Sequence, residues 1–246
     1  MFRYHRIRLL TILIITLGLT LPRGTAALPA PSMSIRSPGD GATVTSPIAV
    51  SAEMVPGADG LVRLALIDQR NNTLSRRLLR IDSDLDTPIP FTASLPFELP
   101  GPDTEALLTL STQDIYHRPL ALRSVLLTLT TSGEPQVASP RAADPWLEIT
   151  FPEPLDILTG GQFTVRGSVK PITDNPVIFE LITDSGGVIG SAQLAVSEPG
   201  KTAPFEQLLS YGYINKIRDV RLVVRQTIDG YGANVVLDSL LLALLP

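Results

Sequence analysis

Asp82, Asp84 and Asp86 stand at alternate positions, which strings three hard oxygen donors along one short stretch, the donor type that calcium takes. The likeness to a helix-loop-helix calcium loop stops there. Thr87 stands where the sharp turn needs glycine, and Ala93 where the closing glutamate would sit. The corresponding loop later in the chain, Ser197-Glu198-Pro199-Gly200, lacks the triad. The spacing therefore reads as a solvated acidic loop before it reads as a weak surface calcium site. A melting curve unchanged by millimolar calcium would exclude the site.

His117, with Asp114 and Tyr116 beside it, supplies an imidazole and a carboxylate, two parts of a hydrolytic triad. No G-x-S-x-G elbow accompanies them, and a lone histidine cannot build a two-histidine metal site. Gly200-Lys201-Thr202 echoes the end of a phosphate-binding loop, but Ala195 replaces the earlier glycine. It reads as a turn. Paired carboxylates could serve glycoside hydrolysis, yet nothing singles out a pair among 24 acidic residues. The chain has no cysteine, which excludes disulfides, thiolate-bound zinc, iron–sulfur clusters and thiol catalysis. No catalytic, cofactor-binding or metal-binding residue is assigned, and no enzyme activity is expected.

The N-terminus carries an address. Arg3, Arg6 and Arg8 precede an apolar run over 9–21, and small residues follow at Gly24, Thr25, Ala26 and Ala27. This order is that of a secretory signal over 1–27, cleaved after Ala26 or Ala27. An uncleaved N-terminal membrane anchor is the alternative, although the run is shorter than the ~20 residues of an ordinary span. Cleavage removes four arginines and no acid, leaving 16 basic against 24 acidic side chains, a net of −8. That acidic balance argues against a nucleic-acid partner.

The mature chain reads as two copies of one pattern. Residues 61–67 match 176–182 at an offset of 115, and 122–129 match 237–244 at the same offset. Between these pairs, 90–97 match 204–211 in hydrophobic pattern, and Pro38 precedes Pro152 by 114. Matches in one order at a nearly constant offset predict a duplicated domain, the copies spanning 33–130 and 146–246. Pro135, Pro140 and Pro145 in the intervening 131–145 predict a semi-stiff, extended linker.

The elements that must carry any site are strands. Val62, Leu64 and Leu66 alternate with Arg63, and Val177, Phe179 and Leu181 with Glu180, the period of a half-buried strand. Further strands are predicted over 33–37, 48–55, 73–81, 89–97, 105–112 and 120–129. Turn chemistry separates them at Pro38-Gly39-Asp40-Gly41, Asn71-Asn72 and Pro100-Gly101, and again at Ser185-Gly186-Gly187 and Asp229-Gly230. Short strands punctuated this often predict an all-β chain of two tandem immunoglobulin-like β-sandwiches. The apolar run over 240–245 would make a strand apolar on both faces, as would Val125-Leu126-Leu127. Cover from the sister domain or a partner and ordinary core packing are both open for such strands.

The run Ser37-Pro38-Gly39-Asp40-Gly41-Ala42-Thr43-Val44-Thr45-Ser46-Pro47-Ile48-Ala49-Val50 resembles the opening of the immunoglobulin-like domain of bacterial spore-germination proteins, the Gmad2 family. The resemblance covers residues 33–129. The family's glycine is expected where Ala52 stands, whereas the second copy has Gly167. It implies a bacterial envelope or secreted module without enzyme activity, its partner an envelope component or another protein. The alternative reading is a carbohydrate-binding or calcium-assisted adhesion module, with a hydrolase behind it. In physical terms the prolines fix φ and remove backbone donors, and Gly41 permits a tight turn, so the motif predicts a strand–turn–strand corner.

Overall fold

The structure is a computed structural model that describes residues 33–81, 88–99, 101–132, 136, 145–212 and 214–246. All regular elements among them are strands. The first half holds β1 (Met33–Ser37), β2 (Ala42–Val44), β3 (Ile48–Met54), β4 (Leu61–Asp68), β5 (Thr73–Arg80), β6 (Ile89–Leu95), β7 (Thr104–Gln113) and β8 (Pro119–Leu129). The second half holds β9 (Leu147–Phe151), β10 (Ile157–Leu158), β11 (Gln162–Val169), β12 (Val177–Thr183), β13 (Val188–Leu194), β14 (Ala203–Ser210), β15 (Arg218–Ile228) and β16 (Ala233–Leu244).

Both halves follow one plan. A three-stranded sheet, β1-β3-β6 in the first half and β14-β11-β9 in the second, faces a four-stranded one, β5-β4-β7-β8 or β13-β12-β15-β16. The short β2 and β10 cross to the larger sheet and run parallel to β8 and β16. This is an all-β, immunoglobulin-like β-sandwich arrangement. The strands foreseen in the first half appear within two residues of their predicted ends. β2 and β10 are additions: at three and two residues, neither is long enough to show a period in sequence.

Each half has its own apolar core. In the first, Val62, Leu64 and Leu66 of β4 are buried together with Met33, Met54, Leu108, Leu110 and Leu127. In the second, Val177, Phe179 and Leu181 of β12 pack with Val165, Phe205, Leu222 and Leu242. The alternating residues Arg63 and Glu180 are only half-buried, so the two-residue period sorts side chains between core and surface. Trp146, at the entrance to the second half, is buried in the second core.

The Ser-Pro run builds the corner its residues predict. Gly41, at φ 79°, donates its N–H to the Leu126 carbonyl over 2.7 Å. Asp40 Oδ1 accepts the Leu126 N–H over 2.8 Å. The turn thus stands in for a neighbouring strand at β8, just before β2 pairs with Ala42 opposite Leu127. At the second Ser-Pro, the Ser46 hydroxyl accepts the Phe97 N–H and ties the start of β3 to the end of β6. Ser37–Pro38, Ser46–Pro47 and Phe151–Pro152 are cis.

Asp82, Asp84 and Asp86, the expected signal segment over 1–27 and most of the expected linker lie outside the described residues. The linker's Gln136 is described, and it exchanges both backbone hydrogen bonds with Thr43 at 3.0 Å. Chain leaving β8 therefore runs beside β2 at that residue, rather than standing clear of the first sandwich.

Candidate functional site

Among the described residues, a constellation of polar and charged side chains lies where the two halves meet. β8 and β16 pair antiparallel, with Arg123 opposite Val236, Leu122 opposite Leu237 and Ala121 opposite Asp238. The two larger sheets therefore join into a single ten-stranded sheet, with β2 and β10 beside the main path. β8 and β16 were both free at one edge within their own halves. Pairing them satisfies backbone donors and acceptors that an exposed edge leaves open.

Side chains reinforce the seam. The Arg123 guanidinium donates to both Asp238 carboxylate oxygens, at 2.7 and 3.0 Å, and to the Leu237 carbonyl at 2.9 Å. One guanidinium nitrogen reaches both carboxylate oxygens and another takes the carbonyl, so the charge-assisted pair also grips the backbone of β16. Trp146 Nε1 donates to the same carboxylate at 2.5 Å. Ser124 Oγ donates to the Val235 carbonyl, and Ser239 Oγ to the carbonyls of Pro119 and Leu120.

Beside the seam lies a buried charge cluster. Asp114 is 4% exposed and Arg118 3%. Asp114 Oδ2 accepts from Arg118 Nε at 2.7 Å and from Arg221 Nε, in the other half, at 3.2 Å. Its Oδ1 accepts the backbone N–H groups of Tyr116 and Arg118. Burial alone would raise the Asp114 pKa. The hydrogen bonds and charge of Arg118 outweigh it and hold the carboxyl below its ordinary value. Burial lowers the pKa of Arg221, the charge of Arg118 adds to that, and Asp114 opposes it. On the other side of the seam Tyr231 is buried, and burial pushes its hydroxyl upward, with Glu105 and Asp68 of the first half adding to the shift.

Leu107, Val223, Leu237 and Tyr231 are each at most 4% exposed, yet they belong to neither apolar core. Leu107, Val223 and Leu237 lie on the seam strands or on strands next to them, and Tyr231 lies in the turn that joins β15 to β16. Leu126 and Leu241, which would have argued against cover by the sister domain had they been buried in their own sandwiches, are only half-buried. The seam runs along the strands that carry them. It is made by strand edges and polar side chains more than by the second apolar face of either strand.

The residues singled out in the sequence do not converge. His117 occupies the β7–β8 turn at φ 61° and donates its backbone N–H to the Asp114 carbonyl. The Asp114 carboxylate is engaged by two arginines and is not bonded to the imidazole. Lys201 lies on the surface and pairs with Glu198 at 3.1 Å. Among the described residues no group of three or more His, Asp or Glu side chains is placed to hold a metal ion. A shallow cleft of about 460 Å³ opens over β1, β3 and β6, lined by Ser37, Ser51, Thr92 and Ser94. Its one charged side chain, Arg77, is engaged with the Ser94 carbonyl at 2.6 Å.

The apolar runs over 125–127 and 240–245 left cover by the sister domain open, and the seam does form along those two strands, but sequence reasoning missed its residues. Leu122-Arg123-Ser124 aligns with Leu237-Asp238-Ser239, which reads as a repeat and not as two surfaces that meet.

No family model and no curated protein matches this chain. Among solved structures, it is similar to the fibronectin(III)-like modules of Clostridium thermocellum CbhA, at 15% identity and a TM-score of 0.26, with 87% of this chain and 93% of that one covered. It is also similar to part of dimeric latent PorU from Porphyromonas gingivalis, at 17% identity and a TM-score of 0.28, covering 87% of this chain and 19% of that one. A third likeness is to the collagen adhesin of S. aureus, at 4% identity and a TM-score of 0.19, covering 87% and 92%. At these scores the likenesses bear on no question of ligand or partner.

Proposed function

We propose that this chain is an exported, non-enzymatic module of two tandem immunoglobulin-like sandwiches, one the duplicate of the other, with a structural or binding role at the bacterial cell envelope or outside it. The observation that carries the reading is the seam itself. Two sandwiches joined through one sheet, and pinned by Arg123–Asp238 and by Asp114–Arg221, present their loops and outer faces in a fixed relation. A protein that binds by surface complementarity gains from such preorganisation, because less freedom is lost when the partner docks. The basic, apolar, small-residue order over 1–27 supports export, and the Ser-Pro motif supports the kinship with the spore-germination family's domain. The partner on this reading is an envelope component or a protein held there.

The test is retention of the mature fragment, residues 28–246, on separated envelope fractions of the source cell: peptidoglycan, membranes, polysaccharide and soluble secreted protein. Retention by one fraction, lost when the seam is opened by substitution, supports the proposal and names the ligand class. No retention by any fraction overturns the binding role. A full-length chain recovered in the cytoplasm with its N-terminus intact overturns export.

A further inference from the structure

We propose that Arg123 and Asp238 are the specificity pair of the seam: they make β8 of the first half accept β16 of a second half and reject a copy of itself. The argument starts from register. Leu122 faces Leu237 directly, and those residues correspond at the offset of 115 that relates the two halves in sequence. Arg123 then faces Val236, the counterpart of Ala121, while Asp238, the counterpart of Arg123, faces Ala121. The contact maps onto itself when the halves are exchanged, so it is isologous, with its axis passing through Leu122 and Leu237.

The serines obey the same axis. Ser124 Oγ donates to the carbonyl of Val235, and its counterpart Ser239 donates to that of Leu120, the counterpart of Val235. An isologous surface is self-complementary in backbone and in shape. Nothing in those terms alone tells β8 to choose β16 over the β8 of a second chain.

Charge does tell it. Arg123 and Asp238 occupy equivalent positions across the axis, and they carry opposite signs, 2.7 Å apart. A seam between two first halves would set arginine against arginine at that place, and one between two second halves would set aspartate against aspartate. Like charges so placed penalise the wrong pairing, while the native pair favours the right one. Trp146, which belongs to the second half like Asp238, donates its indole N–H to that carboxylate and so holds the acceptor in place for Arg123. The surface 120–124 is therefore an interaction site whose partner is the second half of this chain.

The test uses the full chain, which has no cysteine of its own. Leu122→Cys with Leu237→Cys places two thiols on directly opposed residues, a spacing a disulfide can bridge. With native charges, mild oxidation closes an intramolecular disulfide, read as a monomer on a non-reducing gel. Asp238→Arg or Arg123→Asp slows that closure by about tenfold or more, and the two together return it to within about threefold of the parent. A reciprocal swap as slow as the single reversals, or equal rates in all four chains, overturns the proposal. If a reversal fails to fold by circular dichroism, the cycle is run with Arg123→Ala and Asp238→Ala. A coupling of about fivefold between them supports the proposal, and additive effects overturn it. The chain bearing Leu122→Cys alone remains monomeric on oxidation; rapid dimer formation through that thiol overturns the proposal as well.

Discussion

Trp146 donates its indole N–H to the carboxylate of Asp238 over 2.5 Å, and so ties the entrance of the second half to the strand that meets the first. The ring is buried in the second core, while its polar edge is aimed at the seam. Trp146→Phe keeps most of the apolar contact and deletes the donor. The expected loss is about 2 kcal/mol, the scale of a hydrogen bond to a charged group, measured by urea unfolding followed by circular dichroism. A loss near zero would show that Arg123 alone satisfies the carboxylate.

Asp114 neutralises one of two buried guanidiniums and keeps the other from standing alone. Asp114→Ala leaves both without a carboxylate, and the expected cost is about 3–5 kcal/mol. The same group sets an acid limit. Its folded-state pKa is depressed, so its contribution is complete above the unfolded value near ~3.9 and fades as pH falls through the lower folded value. Thermal scans from pH 7 downward should show the native chain losing more stability below about pH 4 than Asp114→Ala does.

Gly167 sits where a side chain has no room. A Cβ built there would come within 1.9 Å of the Glu148 carbonyl oxygen, on the adjacent strand. Gly167→Ala must push β9 from β11 and is expected to cost about 3 kcal/mol in thermal or urea unfolding. The corresponding position in the first half, Ala52, is fully buried and tolerates its methyl. Ala52→Gly should cost only about 1 kcal/mol. Equal effects would mean the two strand pairs are spaced alike.

Gln226 is fully buried and uses its amide completely. Its Oε1 accepts the N–H groups of Ile172 and Thr173, and its Nε2 donates to the carbonyls of Thr173 and Asn175. Gln226→Leu adds apolar burial yet strands four backbone groups. It should destabilise by about 3 kcal/mol and raise hydrogen exchange at the Ile172 and Thr173 amides before the rest of the second half. A neutral or stabilising result would mean water enters the loop and replaces the amide.

The strands were legible because burial of one face leaves a period of two in the residue types. Val62, Leu64 and Leu66 show it, and so do Val177, Phe179 and Leu181. β7 and β15 read less cleanly, since Leu107 and Val223 are buried on the face turned away from their cores. The Ser-Pro corner was legible too, because proline and glycine state backbone geometry directly. The seam was not. It rests on main-chain hydrogen bonds, which any sequence can make, and on Arg123 and Asp238, which only the folded chain brings together. Gln226 was equally silent, since a glutamine in a strand gives no sign of whether it faces water or four backbone partners.

The two short parallel strands have a consequence for the chain's behaviour at high concentration. β8 gives one stretch of its outer edge to β16 and the next to β2, and β16 divides its own between β8 and β10. Among the described residues, the main path of the large sheet ends at β5 on one side and β13 on the other. β5 carries exposed Arg76, Arg77 and Arg80, whose mutual repulsion deters another strand from adding there. β13 is bridged where Gly212 donates to the Ile189 carbonyl. A sheet this wide offers a template for fibrils at its borders, and charge on β5 together with the Gly212 contact on β13 reduces that exposure.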